Sequence, residues 1–90
     1  MEAIMTTQEL DKATMGKAFK MLRAMRELPQ QQVSSAMGLS QSTYSPLEKG
    51  FGTDANFLAA CQYFGYTPED LILWFEKTVA AAAEAAGGSQ

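Results

Sequence analysis

Along this chain apolar residues return at helical spacing almost throughout, and no stretch alternates β-branched with polar residues as a half-buried strand does. Ala18, Phe19, Leu22 and Met25 form an i, i+1, i+4, i+7 stripe, and Lys17, Lys20, Arg23 and Arg26 recur every three residues beside it. In ELPQQQVSSAMG, Pro29 marks a helix entry, Val33 and Met37 point inward one turn apart, and Gly38 stops the helix with a left-handed cap. Thr53 or Asp54 caps a further helix, with Phe57, Leu58, Cys61 and Phe64 inward and Gly65 closing it. Thr67-Pro68-Glu69-Asp70 is a clear helix start. Threonine stands at the cap, proline where its missing N–H costs nothing, and two acids face the positive end of the helix dipole. That last helix is expected to reach about Ala86. Near the other end, Thr6 with Glu9 reads as a capping box opening a short helix, with Gly16 as an interruption.

The pattern therefore predicts an all-α fold: one compact domain of five or six helices with short connections and a long C-terminal helix. Residues 1–14 read as an extension with a short helix, 15–86 as the domain, and 87–90 as a disordered tail. Ninety residues leave room for one domain, and a core this small benefits from dimerisation.

Composition narrows the chemistry. Cys61 is the only cysteine, so no intramolecular disulfide forms, which suits a reducing cytoplasm. With no histidine the usual zinc sites cannot be assembled, and no cofactor motif is present. The acidic start MEAIMTTQELDK has no apolar run of a signal peptide, and no segment approaches the apolar length of a membrane span. A cytoplasmic protein without metal or membrane partners is expected. The ten acids are scattered along helix faces and caps, which argues against an enzyme working by converging carboxylates.

The net charge of −3 disfavours nucleic acid until its distribution is considered. From Met15 to Gly50 there are five bases (Lys17, Lys20, Arg23, Arg26, Lys49) against two acids (Glu27, Glu48), a local +3. The remainder stands at −6, from two bases and eight acids. Local charge governs contact with a phosphate backbone, so DNA binding is permitted and should be salt-sensitive.

From Leu22 to Gly50, LRAMRELPQQQVSSAMGLSQSTYSPLEKG resembles, without a gap, the phage-repressor (Cro and lambda-repressor-like, XRE) helix-turn-helix family. Taking residues 30–50 as the motif, Val33, Ser34 and Met37 fill the packing positions of its first helix. Gly38 makes the turn, Leu39 follows, and Tyr44 and Leu47 are the buried positions of the second helix. Two short helices cross steeply only where a small residue sits at the contact and a left-handed residue links them, which Ser34 and Gly38 provide. The likeness extends more loosely through GYTPEDL to about Trp74, somewhat over half of the chain.

The resemblance implies a lambda-repressor-like domain that binds double-stranded DNA. Gln41 and Ser42, with Thr43 and Ser45, fall at base-reading positions of the second helix, which Ser40 caps. A glutamine amide can pair bidentately with adenine. Gln30 matches a phosphate-contacting position, and Lys17, Lys20, Arg26 and Lys49 are the further phosphate candidates. Arg23 and Glu48 fall where family members often carry a structural ion pair.

Pro46 departs from the pattern. Its missing N–H removes the helical bond to the Ser42 carbonyl, at about 3 kcal/mol in a helix interior. Ser45-Pro46-Leu47-Glu48 is itself a helix-start sequence, so one helical turn, a kink near Ser45 and a second turn ending at Gly50 are expected.

In the last helix, Leu71 to Phe75 are apolar around most of the circumference. Ile72, Trp74, Phe75 and Val79 are therefore candidates for a homodimer interface or a site for another transcription regulator. The leading expectation is a sequence-specific DNA-binding transcriptional regulator, a repressor acting as a homodimer on an operator of a phage or mobile element. The alternative is an antiactivator that uses the same scaffold to sequester a transcription factor. It is favoured by the sequence pI near 4.7, by Pro46 and by the apolar surplus around Trp74.

Overall fold

The computed structural model describes residues 10–88. They form five α-helices and one 3₁₀ segment, with no strand among the described residues. The helices are α1 (Lys12–Met25), α2 (Gln30–Ala36), α3 (Gln41–Tyr44), α4 (Asp54–Phe64) and α5 (Pro68–Gly88), and the 3₁₀ segment, Ser45–Lys49, follows α3 directly. The capping box at Thr6–Glu9 lies outside the described residues, as do Ser89 and Gln90. Gly87 and Gly88, expected in the tail, belong to the end of α5.

α1 begins at Asp11, whose carboxylate accepts from the Thr14 amide at 3.2 Å. It runs through Gly16 unbroken, contrary to the interruption expected there, because Gly16 is a contact residue. A Cβ at this position would lie 2.5 Å from the Leu47 carbonyl oxygen and 2.9 Å from the Glu48 carbonyl. α1 and the 3₁₀ segment thus meet backbone to backbone, which only glycine allows. α1 ends with Leu28 N–H donating to the Arg23 carbonyl at 2.9 Å, and Glu27 takes a left-handed φ of 55°.

Met15, Ala18, Phe19 and Leu22 of α1 are buried, but Met25, expected inward, is 63% exposed. The chain turns away directly after it, and Leu28 packs against the core instead. Val33 of α2, Tyr44 of α3, Leu47 of the 3₁₀ segment, Phe57, Ala60, Cys61 and Phe64 of α4, and Leu71 of α5 complete the core. Burial raises the Cys61 thiol pKa to about 11, as befits a small core residue. Leu58, also expected inward, is exposed. The buried arc of α4 is centred on Phe57, Ala60, Cys61 and Phe64, and Leu58 lies one hundred degrees around from Phe57, outside that arc.

The remaining caps follow their sequences. Thr53 accepts from the Asn56 amide at 3.1 Å, and Thr67 from the Asp70 amide at 3.1 Å. Gly38 links α2 to α3 with φ 75°, and the Leu39 amide returns to the Ser34 carbonyl at 2.8 Å. Lys12 fastens the loop before α4. Its amine donates to the Gly52 carbonyl at 2.7 Å, pairs with Asp54 at 2.9 Å and sits 5.5 Å from the centre of the Phe57 ring. Residues of α5 beyond Thr78 are exposed as far as Ala85, so its far half runs out past the core. No helix among the described residues is long and apolar enough to cross a membrane.

Candidate functional site

Glu48 is the centre of the site. It is buried, with its side chain only 4% exposed, and both carboxylate oxygens are saturated. Oε2 accepts from Arg23 Nε at 2.6 Å and from the Tyr44 hydroxyl at 2.8 Å. Oε1 accepts from Arg23 Nη2 at 3.2 Å and from Gln30 Nε2 at 2.9 Å. Arg23 donates its remaining terminal nitrogen to the Leu28 carbonyl at 2.9 Å, which joins the end of α1 to the same cluster. Burial alone pushes the Glu48 carboxyl pKa up, but the hydrogen bonds from Arg23, Gln30 and Tyr44 outweigh it and hold the group below its ordinary value. The Arg23 pKa is raised by its bond to Glu48 against the opposing effect of burial. Burial first, and the bond to Glu48 second, raise that of Tyr44.

Local sequence explains the assembly. Gly16 lets α1 approach the 3₁₀ segment closely enough for Arg23 to reach Glu48. Tyr44 and Glu48 are four residues apart on one helical face, so the tyrosine ring enters the core while its hydroxyl meets the acid. Pro46 stands at the start of the 3₁₀ segment, where its missing amide is tolerated. The winding changes at Ser45, and the segment ends in Gly50 with φ 92°.

In front of this cluster lies α3. Ser40 caps it, accepting from the Thr43 amide at 3.2 Å and meeting the hydroxyls of Ser42 and Thr43 at 3.1 and 2.9 Å. Gln41, Ser42 and Thr43 are all exposed, whereas Ser45 is half-buried. Gln41 Nε2 donates to Gln30 Oε1 at 3.3 Å, so a phosphate candidate and a base-reading candidate are hydrogen-bonded to each other. Uncharged, exposed hydroxyl and amide groups at one edge suit hydrogen bonding to base edges or phosphates.

The basic residues divide. Lys49 is exposed on the 3₁₀ segment. Lys17 and Lys20 line a shallow groove of about 390 Å³ with Met21, Ala24, Glu48 and Phe75. Arg26 is engaged elsewhere: its guanidinium donates to the Phe64 carbonyl at 3.2 Å and lies 5.4 Å from the centre of the Phe64 ring, closing the end of α4. Ile72, Trp74 and Phe75 are half-buried against the core, with Trp74 5.9 Å from Tyr66 between ring centroids, while Val79 is exposed. Phe51, which no sequence pattern singled out, is 68% exposed in the loop after the 3₁₀ segment, its amide bonded to the Pro46 carbonyl at 2.9 Å.

The Tyr44–Glu48 bond had a sequence signal in its spacing. The Gln30–Gln41 contact had none, since it joins two helices across a turn. Compared with protein-family models, curated proteins and solved structures, the chain matches none of them.

Proposed function

We propose that this protein is a DNA-binding transcriptional regulator, a repressor that occupies an operator as a homodimer and reads it with the first turn of α3. The observation that supports this reading most is the pairing of an exposed, uncharged polar edge, Gln41, Ser42 and Thr43, with a saturated buried anchor directly behind it, Glu48. The cluster fastens Tyr44 of α3 to Arg23 of α1, and a reader of base edges uses such support because hydrogen-bond readout depends on side chains held in place. Lys17, Lys20 and Lys49 would meet phosphates. The exposed far half of α5, with Val79, would meet a second copy and set two reading edges about one DNA turn, ~34 Å, apart.

The deciding experiment is selection of bound duplexes from a randomised pool, followed by titration at two salt concentrations. Binding should weaken steeply with salt, and Gln41→Ala should lower discrimination among sites by about 1–3 kcal/mol with folding intact. An unchanged set of selected sequences for that variant removes Gln41 as a reader.

A second reading, a protein-binding antiactivator, is favoured by Phe51, a large exposed apolar side chain beside the 3₁₀ segment, and by the net charge of −3. On that reading Phe51→Ser abolishes capture of the partner, and reversing the charge of Lys17 and Lys20 leaves it unchanged.

A further inference from the structure

α1 carries four bases and no acid. Two of the bases are matched, Lys12 by Asp54 and Arg23 by Glu48. Lys17 and Lys20 are exposed, and no acid among the described residues pairs with them. With Met21 and Ala24 they form an i, i+3, i+4, i+7 face of α1, two turns or about 10 Å long. Phe75 of α5 makes the facing wall of a groove of about 390 Å³. Met21 and Phe75 are half-buried and Ala24 is exposed, so the floor is apolar and open to water. Glu48 also lines the groove but brings no free charge, because its carboxylate is taken up by Arg23, Tyr44 and Gln30. An apolar floor beside two unmatched lysines selects its occupant. Duplex phosphates satisfy the lysines but offer nothing apolar to Met21, Ala24 and Phe75. The far half of a second copy's α5 is mostly alanine, whose methyl groups bury little area there. An extended segment finds no strand edge among the described residues. A helix with large apolar residues in one stripe and carboxylates beside the stripe meets both demands.

We propose that this groove receives an acidic amphipathic helix of another protein, which sets its carboxylates on Lys17 and Lys20 and its apolar stripe on Met21, Ala24 and Phe75. The docking itself needs only this face. Its consequence for DNA rests on the DNA-reading function proposed above. There Lys17 and Lys20 meet phosphates, and a carboxylate seated on each withdraws it from the duplex backbone. The occupant thus lowers DNA affinity without touching α3, and the groove becomes the place where a protein partner releases the regulator from its operator.

The probe is a synthetic helix about four turns long, with leucines in one stripe and glutamates beside it. Two control peptides replace its glutamates with lysines or its leucines with alanines. Titrated into the whole, isotope-labelled chain, the probe should move the amide signals of Lys17, Lys20, Met21, Ala24 and Phe75, and both controls should bind about tenfold more weakly or worse. Lys17→Glu combined with Lys20→Glu should weaken the probe about tenfold, as two exposed ion pairs turned into repulsions require. Met21→Ser keeps both lysines, so it should weaken the probe about three- to tenfold and leave duplex affinity unchanged. Circular dichroism first establishes that each variant keeps the wild-type helix content. Saturating probe should release a bound duplex. Signals that move only elsewhere, or a control that binds as well as the probe, overturn the docking site. Wild-type self-association that disappears in the double lysine variant gives the face to a second copy and overturns it too. A probe that fills the groove and leaves the duplex bound overturns the release step. A protein that takes the probe here but binds no duplex at any salt concentration sinks the DNA-reading function and leaves the docking site standing.

Discussion

Replacing Gly16 by alanine tests the contact on which the site is built. Alanine is the better helix former by about 1 kcal/mol in a helix interior, so α1 taken alone gains from the change. The tertiary contact opposes it. The new methyl would stand 2.5 Å from the Leu47 carbonyl oxygen and 2.9 Å from the Glu48 carbonyl carbon and oxygen. These are backbone atoms, so no side chain can rotate aside, and the two segments must part by about half an ångström or more. A gap of that size forfeits a quarter to a half of each dispersion contact along the seam, where Met15 and Phe19 of α1 and Leu47 are fully buried. Overpacking of this kind costs about 1–3 kcal/mol, and a rigid obstacle places it near the upper end. Net of helix propensity, Gly16→Ala should destabilise the domain by about 2 kcal/mol, lowering Tm by roughly 8–16 °C in a protein of this length. Thermal and urea unfolding followed by circular dichroism measure both quantities. If Gly16→Ala matches or exceeds the wild type in stability, the close backbone approach is refuted.

Glu48→Gln should cost about 2–4 kcal/mol at neutral pH, because it leaves Arg23 without its carboxylate partner in a buried place. The folded-state pKa of Glu48 is lowered from 4.5, so the unfolded chain takes up the proton first. Its stabilisation is full above pH 4.5 and is lost as pH falls through the lower folded value. The gap between wild type and variant should therefore narrow in acid, and a gap that stays constant down to pH 2 in urea titrations contradicts the assignment. Glu27→Gly should raise stability by about 0.5–1 kcal/mol, since glycine takes the φ of 55° without strain, and no gain would mean that the left-handed cap is unstrained. Val79→Lys should shift the protein toward monomer in sedimentation equilibrium while the helix content stays the same; a monomeric wild type would remove the α5 interface.

Much of the architecture was legible because it is written locally. Ser40, Thr53 and Thr67 each stand three residues before the amide they cap, and Gly38, Gly50 and Gly65 are left-handed where helices end. The two inward assignments that failed, Met25 and Leu58, lie at the margins of their stripes, where helical periodicity gives a face but not its width or the point at which the chain turns away. Gly16 misled for a related reason. In sequence a mid-helix glycine looks like a break, and only the partner across the seam, some thirty residues later, shows it to be a point of contact. That Gln41, Ser42, Thr43 and Lys49 stand exposed follows from helix register. Arg26 did not follow, because the end of α4 that it closes is 38 residues away. Phe51 lay in a stretch that reads only as loop.

Lys12 ties the Gly50–Thr53 loop to α1 with one amine that contacts a carbonyl, a carboxylate and an aromatic ring together. Acylating that nitrogen would remove its charge, ending the ion pair with Asp54 and the contact with the Phe57 ring while keeping one N–H for the Gly52 carbonyl, and so would loosen the loop that carries Phe51. A single lysine of α1 thereby steadies the loop beside the 3₁₀ segment.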